Sequence, residues 1–172
     1  TTNILPTQYN DKQILLRKVP RNSFYPLQLS PSLLNLLDTK DLRYELFVKP
    51  GSNFYPAFQG MGFWSRENYN DRTPVGLTVN ETWLIRAECL ARTGKREEAL
   101  TMVNELRKMR FRPSDYRPVV AASDQDALQR IIDERRREFF GTGLRWFDQK
   151  RLNKDAAFAR VITRSIGNVS YS

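Results

Sequence analysis

The chain has 172 residues and a formal net charge of +9, from 28 Lys and Arg against 19 Asp and Glu, and it contains no His. This length fits one domain or a piece of a larger protein, and a hydrophobic content of 40% is enough for a packed core. The absence of His excludes Ser-His and Cys-His nucleophile systems. Acidic residues are interleaved with the basic ones along the whole chain, which indicates a diffusely basic surface and argues against a nucleic-acid interface.

The single cysteine, Cys89, can form neither an internal disulfide nor a Cys-rich zinc site, and its helical setting predicts a small buried residue. No cofactor, metal site or catalytic residue is predicted, because no spacing singles out a pair of carboxylates. No stretch approaches the ~18 apolar residues of a membrane span. Residues 1–6 lack the order of a signal peptide, so we expect any targeting segment to lie outside this chain.

Residues 1–77 predict a loop-rich region, because most of the nine prolines and more than half of the aromatic residues lie there. Ser30 and Pro31 followed by a Leu-rich stretch predict one short helix with a Ser cap and Pro in its first turn. The remainder is typical of ordered loop or short strand. So many aromatic side chains need a surface on which to pack.

Residues 78–160 predict helices separated by turns. A capping box at Thr78 starts the first helix, which ends at Gly94, and a second helix runs from Lys95 or Arg96 to about Arg110. The spacing of large and small residues is similar to one tetratricopeptide unit, and no second copy is present. These residues are predicted to line the buried faces of the pair: Trp83, Leu84, Ala87, Leu90, Ala99, Val103 and Leu106.

A third helix is predicted from Ser123 to the break at residues 141–143, and a short helix from Leu144 to Leu152 follows. The apolar stripe of the third helix includes Leu128, Ile131 and Ile132, and Trp146 is expected to be buried against the preceding helices. We therefore predict an all-α, mainly helical fold. Its parts are the loop-rich region 1–77, a helical core at 78–160 and a tail at 161–172.

Three segments together resemble the C-terminal half of the SusD/RagB family: 81–88 (ETWLIRAE), 131–139 (IIDERRREF) and 145–148 (RWFD). The resemblance is strong over residues 76–155 and loose over 1–75, where Asp41-Leu42-Arg43 carries it. It implies a SusD-like fragment of a surface-exposed lipoprotein of the Bacteroidetes outer membrane. Such a protein is non-catalytic, binds an oligosaccharide and works with a SusC-like TonB-dependent transporter. Contact with the membrane would be only through a lipid anchor absent from this chain.

The charged residues of the family motifs are predicted to form structural ion pairs. Arg135 lies on the apolar stripe and needs a partner, for which Glu138 and Asp148 are the candidates. Together with Arg145 these residues would lock the helical break in place. Glu88 would pair with Arg107 or Arg110 across the helix pair.

The loop at residues 53–70 is the richest supply of aromatic side chains for stacking on sugar rings. Tyr55, Trp64 and Tyr69 are the candidate ligand contacts because their rings carry polar ends compatible with a wet surface, and Trp64 offers the largest flat face. The phenylalanines of the loop, Phe54, Phe58 and Phe63, are expected to form local core beneath it.

Three alternatives stay open at the level of sequence. The helix pair is also compatible with a protein-interaction scaffold of the tetratricopeptide type. Some members of the family are associated with peptide uptake, so a non-sugar nutrient such as a peptide is a second class of ligand. A glycosidase would need two carboxylates at a defined separation, and nothing here selects them.

Overall fold

The computed structural model describes residues 27–64, 77–161, 163–166 and 169–171. The chain divides into two compact units, the first Thr1–Thr142 and the second Gly143–Ser172. The prediction of a mainly helical fold is confirmed. The described residues form these six α-helices: α1 (Pro31–Leu34), α2 (Leu42–Phe47), α3 (Val79–Arg92), α4 (Arg96–Lys108), α5 (Asp124–Glu138) and α6 (Leu144–Leu152).

Five short strands accompany the helices: β1 (Leu27–Gln28), β2 (Val48–Pro50), β3 (Met61–Phe63), β4 (Arg164–Ile166) and β5 (Val169–Tyr171). The first three form an antiparallel sheet in the order β1-β3-β2. In its register Val48 lies opposite Phe63 and Pro50 opposite Met61. The last two strands pair with each other in the second unit.

The α3–α4 hairpin forms as its sequence predicts. Thr78 caps α3 by accepting a hydrogen bond from the Glu81 N–H at 3.1 Å. Gly94 takes a φ of +77°, a conformation open to glycine, and so lets the chain reverse into α4. Small residues at the contact, Ala87 and Ala99, are fully buried, which allows the two helices to approach closely.

Helix α5 packs against both α3 and α4. Two hydrogen bonds hold its beginning: Ser123 Oγ accepts from the Asp126 N–H at 3.1 Å, and Asp126 Oδ2 accepts from the N–H of Ala122, the residue before the cap, at 3.0 Å. The Ala122 N–H and the nearby Arg130 lower the pKa of Asp126. Ile131 is fully buried, and Leu128 and Ile132 are buried beside it, so the predicted apolar stripe is confirmed.

The three-stranded sheet contributes to a second hydrophobic core within the first unit, Thr1–Thr142. Phe63 of β3 stands at 5.3 Å from Phe140 and 6.0 Å from Phe47, measured between ring centroids. Gly141 has a φ of +81°, and a Cβ there would lie 2.4 Å from the Phe63 ring. The buried members of this core are Leu29, Leu33, Leu37, Val48, Phe63 and Phe140.

Two burial predictions are wrong. Trp146 is 58% exposed, because the buried face of α6 is formed by Asp148, Gln149 and Leu152, and Trp146 lies about 110° of helical rotation from the centre of that face. Cys89 is exposed for the same reason, since it follows the fully buried Ala87 by two positions on α3.

Trp83 and Leu90 are half-buried rather than enclosed. The indole N–H of Trp83 donates to the Met102 carbonyl oxygen at 2.9 Å, so the ring bridges α3 and α4 while one side stays open.

Candidate functional site

The β2–β3 hairpin carries a closed loop at residues 51–60, called here the Tyr55 loop. The Gly51 N–H donates to the Gly60 carbonyl oxygen at 2.7 Å, and the Phe58 N–H donates back to the Gly51 carbonyl oxygen at 3.3 Å. The side-chain amide of Gln28 on β1 donates to the Gln59 carbonyl oxygen at 3.1 Å. These bonds tie both ends of the loop to the sheet.

The rings of Phe54 and Phe58 pack beneath the loop, with their centroids 5.4 Å apart. Gly62 on β3 provides the room, because a Cβ at that position would stand 2.6 Å from Phe54 and 2.7 Å from Phe58. Both phenylalanines are half-buried and Phe63 is buried. They form the local core expected from the sequence.

Tyr55 lies on the outside of this loop with 94% of its surface exposed. The Tyr55–Pro56 peptide bond is cis. The phenol ring packs on nothing in the described residues, whereas the neighbouring Phe54 faces inward. The loop therefore presents one aromatic face and one hydroxyl group to solvent on an ordered support.

Trp64 occupies the other end of the hairpin. Its backbone N–H donates to the Phe47 carbonyl oxygen at 2.8 Å, next to the first pair of the β2–β3 ladder, and its side chain is half-buried. The Tyr55 loop leaves the ladder at the opposite end, where Pro50 faces Met61. The structure thus separates Tyr55 from Trp64 along the strands. Tyr69, the third predicted contact, lies outside the described residues.

A network of charged side chains, called here the Arg43 cluster, lies where α2, α4 and α5 meet. Arg43 is 4% exposed, and its guanidinium grips both carboxylate oxygens of Asp41, with Nη2 at 2.6 Å from Oδ2. The same group reaches Glu138 Oε2 at 2.7 Å and Glu134 Oε1 at 2.8 Å. One arginine on α2 therefore engages three carboxylates, two of them on α5.

Glu134 and Glu138 each have further partners, although within the described residues Glu134 Oε1 accepts no hydrogen bond and has only the ion pair with Arg43. Arg107 and Arg137 reach Glu134 Oε2 at 2.7 Å and 3.0 Å. Arg110 contacts both oxygens of Glu138, which also accepts from the Asn80 amide at 2.7 Å. These are charge-assisted bonds in a setting with little water, where each is stronger than at a surface.

The pKa values in the Arg43 cluster follow from this geometry. Burial by itself would raise the pKa of Glu134. The guanidinium groups of Arg43, Arg107 and Arg137 nevertheless lower this pKa from 4.5 to about 2. Burial also disfavours the charged form of Arg137, and for this basic group the result is a lowered pKa. Burial also works against charge on Arg43, but its three carboxylate partners outweigh burial and raise its pKa above the ordinary value.

The ion-pair partners differ from those that the sequence suggested. Arg107 and Arg110 bind the α5 carboxylates rather than Glu88, which pairs with Arg92 at 2.9 Å along α3. The reason is geometric, because the last turn of α4 faces α5. Glu138 is held by Arg43 of α2, Asn80 of α3 and Arg110 just after α4.

In the second unit Asp148 pairs with Arg151 at 2.9 Å, and Arg145 donates to the Gln149 amide oxygen. In the first unit the Arg135 guanidinium lies 5.5 Å from the centre of the Phe139 ring. The predicted locking of the helical break by Arg135, Arg145 and Asp148 stays a prediction.

Sequence reasoning missed the centre of the cluster. Asp41 and Arg43 stood out only through the family resemblance, and Glu134 was not singled out. A signal was present nonetheless, since Glu134 follows the buried Ala127 by seven positions and Ile131 by three. It therefore lies on the apolar stripe of α5, where a carboxylate needs partners.

No group of three or more metal-binding side chains occurs within residues 27–64, 77–161, 163–166 and 169–171. Among the helices in that part of the chain, none has the length and apolar character needed to cross a membrane.

Comparison with known proteins identifies the group to which the chain is related. The family model of the SusD family matches residues 44–165, which include every helix from α3 to α6. The chain belongs to the SusD family. The resemblance inferred from the sequence motifs is thereby confirmed.

Two SusD-like relatives illustrate the match. A SusD-like protein of Formosa agariphila is 38% identical over 76 residues, covering 41% of this chain and 15% of that protein. A crystal structure of a SusD-like carbohydrate-binding protein from Bacteroides vulgatus superposes with a TM-score of 0.53 at 21% identity. That match covers 84% of this chain and 32% of the other, so the chain spans about a third of the solved relative and less of the curated one.

Proposed function

We propose that this chain is part of a non-catalytic cell-surface protein that binds oligosaccharides at the Tyr55 loop. In this proposal the whole protein is lipid-anchored at the outer membrane and passes its ligand to a SusC-like TonB-dependent transporter. Membership of the SusD family supports the class of function. The exposure of Tyr55, 94% on a loop closed by backbone bonds, is the observation that supports the site.

Tyr55 suits the recognition of a sugar for two physical reasons. Its flat ring can cover the apolar face of a pyranose, and its hydroxyl can exchange hydrogen bonds with the sugar's hydroxyl groups. Because the loop is already held by Gly51, Gly60 and Gln28, little conformational entropy is lost when a ligand binds.

The α5 carboxylates of the Arg43 cluster are unsuited to the acid step of a glycosidase. A glycosidase needs a carboxylic acid whose pKa is raised, so that it can give a proton to the leaving oxygen. Glu134 has the opposite property, with its pKa lowered to about 2, and both its oxygens face arginines. Glu138 is similarly enclosed by Arg43 and Arg110.

The proposal is tested by calorimetric titration of the full-length protein with five hexasaccharides: maltohexaose, cellohexaose, laminarihexaose, xylohexaose and hexagalacturonate. Tyr55→Ala is expected to weaken the tightest interaction by about 1 to 2 kcal/mol, by analogy with aromatic stacking on other planar ligands. Tyr55→Phe keeps the ring and should retain most of the affinity.

Val120→Ala serves as the control, because Val120 is 74% exposed on the α4–α5 connection and has no role in the proposed site. Equal loss in Tyr55→Ala and Val120→Ala would contradict the assignment of Tyr55. If none of the five sugars binds and a hexapeptide mixture does, the proposed ligand class would be peptides and not oligosaccharides.

A scaffold of the tetratricopeptide type is the second candidate. Ile85 is 45% exposed and lies one helical turn before the exposed Cys89 on α3, so one side of the helix pair is open to a neighbour. Substituting Ile85 with Lys should abolish a protein interaction at this side and leave oligosaccharide binding unchanged.

A further inference from the structure

The Arg43 cluster and the Tyr55 loop are joined by a short, continuous piece of regular structure. Arg43 lies in the first turn of α2, and α2 passes into β2 without an intervening residue. The last residue of β2, Pro50, directly precedes the loop. A displacement of α2 is therefore carried into the loop, with no flexible linker to absorb it.

Two contacts hold the beginning of α2 in place. The Arg43 guanidinium donates a hydrogen bond from Nη1 to Glu138 Oε2 at 2.7 Å, and its Nη2 forms an ion pair with Glu134 Oε1 at 2.8 Å. The Leu42 N–H donates to the Arg110 carbonyl oxygen at the end of α4, at 2.9 Å. Since the guanidinium is planar and its donors point in fixed directions, this grip defines the orientation of α2 as well as its distance.

The far end of α2 is held by apolar side-chain contacts and one backbone hydrogen bond. Phe47 lies 6.0 Å from Phe63 and 6.4 Å from Phe140, and its carbonyl oxygen accepts from the Trp64 N–H. Apolar contacts are less directional than charge-assisted hydrogen bonds. The contacts of Arg43 therefore set the direction in which α2 and the β2–β3 hairpin that follows it extend away from α5.

We infer that Arg43 is a positioning residue for the Tyr55 loop, acting through α2 and β2 rather than by touching the ligand. The inference rests on the proposed function for its binding consequence, and it goes beyond a general contribution to stability. It states that weakening the Arg43 grip changes the orientation and mobility of the loop in molecules that remain folded.

The first test is a double-mutant cycle on binding, using the full-length protein and the member of the hexasaccharide panel with the highest affinity. Arg43→Lys keeps the charge but replaces the fork by a single ammonium. It should weaken binding five- to tenfold per folded molecule when Tyr55 is present, and less than twofold in the Tyr55→Ala background. Equal losses in both backgrounds would overturn the inference, since Arg43 would then act independently of Tyr55.

Glu45→Gln provides the matched control. Glu45 is on the same helix and pairs with Arg112 at 2.7 Å, but both side chains are 46% exposed. Its affinity should stay within twofold of the wild-type value. Should Arg43→Lys fail to fold, Asp41→Asn removes the anion that the fork grips, keeps a side chain able to cap α2 and takes its place in the cycle.

The second test needs no ligand. Hydrogen exchange should become at least fivefold faster at the Gly51, Phe58 and Trp64 amides of Arg43→Lys, because these amides report local opening of the hairpin. Faster exchange confined to the slowest amides of α3 and α4 would show only a global loss of stability and would overturn the inference. If no sugar binds, the proposed function fails and the exchange measurement alone decides the role of Arg43.

Discussion

Glu134 shows how a single buried charge is tolerated in this protein. Its side chain has no exposed surface, and an unpaired carboxylate there would cost several kcal/mol. Three arginines from three elements supply the compensating charge, Arg43, Arg107 and Arg137. Removing the carboxylate would therefore leave buried guanidinium groups close to one another.

Glu134→Gln is expected to lower the free energy of unfolding at pH 7 by about 3 to 5 kcal/mol, because breaking a buried pair leaves uncompensated charge. The measurement is urea denaturation followed by far-ultraviolet circular dichroism. Glu45→Gln, at an exposed pair, should cost less than about 1 kcal/mol. Similar losses in the two variants would show that Glu134 is not a stabilising partner.

The pH dependence of stability follows from the same pKa shift. The pKa of Glu134 is lowered in the folded state, from 4.5 to about 2, so its contribution is complete above pH 4.5 and is lost as the pH falls towards 2. A shift of this size corresponds to about 3 kcal/mol. Urea midpoints between pH 6 and pH 2.5 should fall more steeply for the wild type than for Glu134→Gln. Parallel curves would contradict the assigned shift.

Trp83 is a second residue whose setting decides its energetic role. The ring is half-buried and its N–H is bonded to the Met102 carbonyl oxygen. Trp83→Ala should therefore cost about 2 to 4 kcal/mol, somewhat less than removal of a fully enclosed ring. Trp83→Phe keeps most of the packing and should cost about 1 kcal/mol, for the lost hydrogen bond. Denaturant unfolding distinguishes the two, and equal stability of all three proteins would show that the ring packs on nothing.

At the scale of elements, the Tyr55 loop depends on Gly62 for the packing of its phenylalanine rings. A Cβ at Gly62 would overlap the rings of Phe54 and Phe58. Gly62→Ala should consequently destabilise the protein by about 1 to 3 kcal/mol, as overpacking does, and speed the exchange of the Phe58 amide. Adding Phe58→Leu to Gly62→Ala should restore part of the loss by making room. An unchanged midpoint in the single variant would mean that the rings move aside freely.

At the scale of the first unit, polar and apolar contacts together join the sheet to the helices. Arg43 provides a buried polar attachment to α5, and Phe140, just after α5, provides an apolar one by packing on Phe47 and Phe63. These two attachments lie at opposite ends of α2. Loss of either one is therefore expected to loosen the sheet before the helices.

Phe140→Ala should remove about 3 to 5 kcal/mol and make the sheet open before the helices. Hydrogen exchange should then show faster exchange at the Leu29 and Gly51 amides, which are bonded across the sheet and the loop, than at the amides inside α3. Uniform acceleration throughout the unit would instead show that sheet and helices unfold together after the substitution.

The sequence by itself determined the helices, because their determinants are local. Thr78 and Ser123 mark the starts, Gly94 marks a turn, and the period of small and apolar residues marks the faces that meet. The sequence motifs were also enough to identify the SusD family. By the same local logic Tyr55 was singled out as an aromatic residue in a loop, although its exposure could not be read from the sequence.

Only the tertiary structure decided which charges meet and which aromatic side chains face water. Arg43 and Glu138 are 95 residues apart in the chain, so no spacing rule relates them, and their contact arises when α2 docks on α5. Trp146 and Cys89 were expected inside because their helices are amphipathic, yet a shift of two positions turns a side chain to the opposite face. The buried face of a helix is chosen by its neighbours, and that choice is made by packing across the whole unit.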